Sequence, residues 1–169
     1  PIMMNLAHLD GFYLYNDSEA VALLNEAARM PGVAPITRAR CQMELADVLL
    51  ASGKVWEASL MYSRIEKAFM QEPIGDEAKL KNATIYYYTG NFKWAKAQLD
   101  ILKSATSKLT ANDAMSLSLL IADNTDDSTH LLPLQLFAHA QLLDFQNHED
   151  SVAILLDSVY KISTTRTLK

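Results

Sequence analysis

Four histidines, one cysteine and twenty carboxylates are the side chains that could do chemistry here, and their spacing decides what they can do. The histidines are His8, His130, His139 and His148. His139 and His148 stand on opposite sides of a predicted turn, which is no ligand spacing, and His148-Glu149-Asp150 reads as a polar helix start rather than a metal site. Cys41 falls near a predicted helix start, where a thiol pKa can be lowered. No histidine is assigned to it, so it reads as a packed thiol. The chain contains no His-Glu-x-x-His, Cys-x-x-Cys, Gly-x-x-x-x-Gly-Lys or Gly-x-Ser-x-Gly string. The expectation is a protein that is not an enzyme, with no metal site and no cofactor.

Composition narrows the classes further. The 169 residues are half apolar with five glycines and five prolines, enough chain and enough apolar surface for a real core. A net charge of −5, spread without runs of one sign, argues against a nucleic-acid surface. Apolar runs are only a few residues long, so membrane insertion by this segment is not expected. The single cysteine excludes an internal disulfide. Pro1-Ile-Met-Met lacks the basic and apolar regions of a signal peptide. It also lacks an initiator methionine and runs almost at once into helical periodicity, which predicts a piece of a longer chain. Localisation stays open between cytoplasm and cell envelope.

The elements that must position any site emerge from a repeat. Leu45-Ala-Asp-Val-Leu-Leu-Ala-Ser-Gly53-Lys-Val-Trp-Glu-Ala58-Ser-Leu-Met-Tyr62 reads as two helices folded back around Gly53, where a helix end favours positive φ. Asn16 precedes Gly53 by 37 residues, Gly90 follows it by 37, and Asn147 follows Gly90 by 57. The longer interval leaves room for one more helix. Seven residues before the markers stand Leu9, Ala46, Ala83 and Ala140; five after stand Val21, Ala58, Ala95 and Val152; twelve after stand Ala28, Ile65, Leu102 and Val159. Nine after, Tyr62, Leu99 and Leu156 agree and Asn25 does not. Caps and breakers fit: Asp17 or Ser18, Pro31-Gly32, Gly75-Asp76, and Thr110-Ala-Asn-Asp113 as a capping box. The stretch 124–129 reads as an exposed loop. No stretch alternates with period two, so the prediction is all-α with nine helices at most. They form one domain over 1–169, with repeat units near 2–33, 37–72, 76–109 and 133–163 and an inserted helix near 111–123.

Helix pairs of this kind resemble tetratricopeptide repeats. The resemblance rests on Leu45-Ala46…Leu49…Gly53…Ala58…Tyr62…Ile65…Pro73 and Ala83…Tyr86…Gly90…Ala95…Leu99…Leu102. It covers most of the chain except the inserted helix. The period exceeds the family's usual 34 residues, and Asn82 and His139 stand where the family has Leu. Gly53-Lys-Val-Trp-Glu-Ala-Ser-Leu-Met-Tyr62 also resembles segments of long bacterial repeat proteins, many of them placed in the cell envelope. The implied fold is an α-α superhelix.

In such arrays the first helix of each pair lines a concave face on which a peptide lies. Register then nominates Arg40, Met43, Glu44, Asp47 and Leu50 from the second pair. The third gives Glu77, Lys81, Thr84, Tyr87 and Tyr88, and the fourth Gln141, Asp144 and Phe145. In Tyr86-Tyr87-Tyr88, register turns Tyr86 to the core and leaves Tyr87 and Tyr88 either as rigid anchors on the groove or as packing against the neighbouring pair. Trp56 and Trp94 read as filler between helices, and His139 as an interhelical histidine. Family members that grip a chaperone's C-terminal carboxylate supply Lys and Asn where Met43, Asp47 and Lys81 stand here, which speaks against that partner. Glu44 and Asp47 favour basic character in the partner. The expected role is a non-catalytic scaffold that binds a peptide or protein. The alternative is a spacer without a ligand, and self-association is expected through uncapped terminal helices.

Overall fold

Gly53 and Gly90 both hold a left-handed backbone, φ +80° each, and Asn147 holds the same region at φ +58°. At each of these corners two hydrogen bonds close the preceding helix in one pattern. Gly53 N–H donates to the Leu50 carbonyl (3.1 Å) and Lys54 N–H to the Leu49 carbonyl (2.8 Å). Gly90 and Asn91 do the same to Tyr87 and Tyr86, and Asn147 and His148 to Asp144 and Leu143. This is the Schellman closure, which satisfies the carbonyls a helix end leaves unpaired. The first corner differs: Tyr15, not Asn16, carries positive φ (53°), and Asn16 N–H reaches back to the Asp10 carbonyl across one residue more.

In the computed structural model, which describes residues 2–105, 107–125 and 131–168, the protein is all-α. Among the described residues there are nine α-helices: α1 (Ile2–Phe12), α2 (Asp17–Arg29), α3 (Pro35–Ala51), α4 (Val55–Ala68), α5 (Pro73–Tyr88), α6 (Phe92–Leu102), α7 (Lys108–Thr125), α8 (Leu132–Phe145) and α9 (Glu149–Ile162). They pack sequentially and antiparallel. A 3-10 turn, Arg166–Leu168, follows. The fold divides into two compact units, 1–79 and 80–169, with the boundary inside α5.

The longer first corner shifts the register of the first pair. Ala7, at 0% exposure, takes the place of Ala46, Ala83 and Ala140, while Leu9 is 51% exposed. On α2 the buried positions are Ala20, Leu24 and Ala27, in line with Ala58, Tyr62 and Ile65. Val21, Asn25 and Ala28 are therefore each displaced by one, and the misfit at Asn25 disappears because Leu24 fills that layer. Alanine at the shared position lets paired helices approach closely, and the larger residues fill the space between pairs.

Several caps also move. Gly75 lies within α5, not ahead of it, and Asp76 is in its first turn. Thr110 is inside α7, where its N–H donates to the Ser107 hydroxyl at 3.4 Å, so Ser107 supplies the cap. The helix read as 111–123 extends over Lys108–Thr125. Of the loop read at 124–129, Asn124 and Thr125 belong to α7 and the remainder lies outside the described residues.

In the first unit α1 packs on α2 and α3, α2 on α3, and α3 on α4. In the second unit the core joins Tyr87, Phe92, Leu99, Leu102, Ile121, Leu134, Val159 and Leu168. Leu168 is held there by the chain after α9. The Asn124 amide on α7 donates to the Thr167 hydroxyl (2.9 Å), and its oxygen accepts from Thr165 (2.5 Å).

Asp100 on α6 ties α7 down. It accepts from Lys103 and Lys96 and from the Ser118 hydroxyl of α7, each at 2.7 Å. Those three donors, Lys103 foremost, hold its carboxyl well below the usual carboxylate range. A depressed pKa means a contribution present above the unfolded value of about 4 and lost as pH falls. Because 39% of the side chain is exposed, the contribution is discounted for screening to about 1 kcal/mol. Asp100→Asn should cost that much in urea unfolding at pH 7, and the gap from wild type should close as pH drops below about 4. A gap independent of pH would assign the loss to packing.

Candidate functional site

The nominated residues sit in both units, and each unit is taken by itself. On α3, Arg40, Glu44 and Asp47 are spaced by four and three residues and so share one side of the helix. Arg40 is exposed, while Glu44 and Asp47 are partly buried. Glu44 Oε1 lies 2.7 Å from His8 Nδ1, and the His8 ring leans on Phe12 at 4.7 Å. Asp47 accepts from the hydroxyl of Tyr62, a side chain at 0% exposure. Both carboxylates are thus held by neighbouring helices. Met43 and Leu50 are corrected: at 6% and 4% exposure they belong to the core, because they fall on the inner side of α3.

In the second unit α5 and α8 bring four nominated residues together. The Tyr87 hydroxyl donates to Gln141 Oε1 at 2.8 Å, and Tyr88 stands close enough to Asp144 for the carboxylate's charge to act on its hydroxyl. Burial, then that charge, pushes the Tyr88 hydroxyl up to about 12. Burial pushes Tyr87 higher still, with Tyr88 adding to it. Gln141 and Asp144 are exposed, and Lys81, Thr84 and Tyr88 are half-buried along one side of α5. The Thr84 hydroxyl donates to its own helix at the Leu80 carbonyl (2.9 Å).

Tyr87 corrects the reading of the triplet. At 1% exposure it is the core member, with ring centroids 5.8 Å from both Phe92 and Tyr88. Tyr86 instead packs edge-on to Trp94, centroids 6.2 Å apart. Trp94 thus lies between α5 and α6 with half its surface exposed, while Trp56, 65% exposed, is not filler between helices. His139 is exposed rather than interhelical, His148 stands at the N-cap of α9, and His130 lies outside the described residues. Glu77 is exposed and Phe145 half-buried.

Cys41 is 2% exposed, and burial pushes its thiol up, the opposite of activation. Among the described residues no three His, Cys, Asp or Glu side chains gather to hold a metal, and no helix is long and apolar enough to cross a membrane.

Sequence reasoning passed over His8 and the Tyr62–Asp47 contact. Aligning Ala7 with Ala46 would have placed His8 at the position of Asp47, on the side of α1 turned to the same polar stripe. Comparison with family models, with curated proteins and with solved structures returns no match for this chain.

Proposed function

We propose that the chain is a non-catalytic scaffold, a tetratricopeptide-like superhelix whose first helices carry a face for a peptide or protein. The observation that carries this reading is the α5–α8 cluster. Tyr87 donates a hydrogen bond to Gln141, and the exposed Asp144 is near enough for its charge to act on the hydroxyl of half-buried Tyr88. A carboxylate and a tyrosine on neighbouring first helices suit a lysine or arginine of a partner, which can pair with the one and lie against the other. The anchored carboxylates Glu44 and Asp47 in the first unit fit the same preference. Burial of Met43 and Tyr87 removes two of the expected anchors and favours the spacer alternative to that extent.

A peptide array probed with the intact chain separates the two. The scaffold reading expects enrichment of Lys- or Arg-containing peptides, lost at least tenfold in the double variant Gln141→Ala, Asp144→Lys. Both positions are exposed, so the fold should tolerate the changes. No enriched peptides, or the same enrichment in the variant, would favour the spacer.

A further inference from the structure

Between the pairs α5–α6 and α8–α9 the chain inserts a single helix, α7, and the segment after α9 holds its C-terminal end. Ser163, the C-cap of α9, is extended (ψ 135°) and 4% exposed, so the chain departs from the helix there. The 3-10 turn that follows rests on both α7 and α8. Leu168 at its end is 7% exposed, in the core cluster that includes Ile121, Leu134 and Val159. Asn124, 9% exposed, continues the buried side of α7 that runs through Ala114, Ser118 and Ile121. An apolar residue would suit that position as packing. Its amide is instead spent on hydroxyls. The nitrogen donates to Thr167 and to the Leu120 carbonyl one turn back (2.8 Å), and the oxygen accepts from Thr165. The Ser163 hydroxyl lies 3.2 Å from that of Thr165. Among the described residues, α7 thus reads the pattern Thr-x-Thr-Leu in one short segment.

We propose that residues 163–168 are a releasable strap, and that the groove they vacate between α7 and α8 binds a peptide of the same Thr-x-Thr-Leu pattern. Hydrogen bonds between neutral groups tie the strap to Asn124, and each is replaced by a bond to water on release, so the net gain from them is small. Burial of Leu168 is the main stabilising contribution. Ordering residues 164–168 opposes it with a cost of the same size. The closed and open forms therefore lie close in free energy, unlike a core helix, which opens only with the unit around it. Selectivity comes from Asn124. A segment with the leucine but without the hydroxyls would fill the groove and leave the buried amide unmet, which polar sites reject strongly.

Thiol labelling of the intact chain tests this, with Leu168→Cys and Leu102→Cys made separately and each site read by peptide mass. Leu102 is 2% exposed in the same core, so a thiol there reports opening of the whole unit. The expected result is labelling at position 168 about a hundredfold faster than at 102, at a rate that low urea leaves unchanged. A tethered segment acts at an effective concentration in the millimolar range. The free peptide Ser-Thr-Thr-Arg-Thr-Leu-Lys at about 1 to 10 mM should therefore hold the groove open and speed labelling at 168 several-fold. The same peptide with alanine in place of the two threonines that meet Asn124 should not. If the cysteine variants lose helicity, amide exchange of the wild-type chain compares residues 164–168 with α6, with and without the same peptides. Equal rates at the two positions, or in the two segments, overturn the strap. Rates indifferent to the peptide, or raised equally by its alanine form, overturn the groove.

Discussion

Replacing Gly75 with alanine should lower the unfolding free energy by roughly 3 kcal/mol, the upper part of the range for forcing a methyl into a packed site. A Cβ at that position would lie 2.0 Å from the Phe69 carbonyl oxygen and 2.8 Å from its carbon. Both are backbone atoms, so the contact cannot be relieved by a rotamer change. The chain between α4 and α5 must move, and with it the Lys79–Glu66 ion pair (3.3 Å) beside it. Gly53 makes the contrast. Nothing lies within 4 Å of a Cβ there, and only its φ of +80° opposes alanine. Gly53→Ala should therefore cost about 1 kcal/mol, from backbone conformation alone. Urea midpoints followed by helicity measure both. Equal losses at the two positions would mean that close approach of α5 to Phe69 is not what Gly75 provides.

These two glycines also mark what could be read without coordinates. Gly53 and Gly90 announced corners because a turn between apolar stripes needs a residue at ease with positive φ. Asn147 followed the same logic and takes that conformation. Asn16 did not, because the first corner is one residue longer and Tyr15 adopts positive φ instead. Local preference favoured the asparagine; packing of Ala7, Ala20 and Leu24 settled the register. Gly75 was taken for a turn residue because close approach to another backbone leaves no trace in local sequence. The polar positions of the candidate face were legible from helical spacing, as with Arg40, Glu44 and Asp47 or Lys81 and Thr84. What spacing could not tell was which of three adjacent tyrosines turns inward. That depends on where α8 lies, and α8 is more than forty residues further along the chain.

The placement of Tyr87 sets the second large effect. Tyr87→Ala should destabilise the chain by about 4 kcal/mol, the cost of emptying a buried aromatic site. The ring touches Phe92 and Tyr88 and belongs to the core of the second unit. Tyr87→Phe keeps the ring and loses only the hydrogen bond to Gln141. Because Gln141 is exposed and can turn to water, that change should cost about 1 kcal/mol or less. A Tyr87→Ala variant that loses a partner would thus report unfolding, not a groove. Binding has to be tested at Gln141 and Asp144. The alkaline limb gives an independent check. Tyr88 has a folded pKa of about 12, above the unfolded value of about 10. Its neutral form therefore contributes stability in full below about pH 10, and that contribution falls as pH rises toward 12. Asp144→Asn removes one of the two causes of that rise, so phenolate absorbance at Tyr88 should appear at lower pH in the variant. If Tyr88 titrates unchanged, Asp144 does not face its hydroxyl, and the pairing on which the proposed cation site rests is lost.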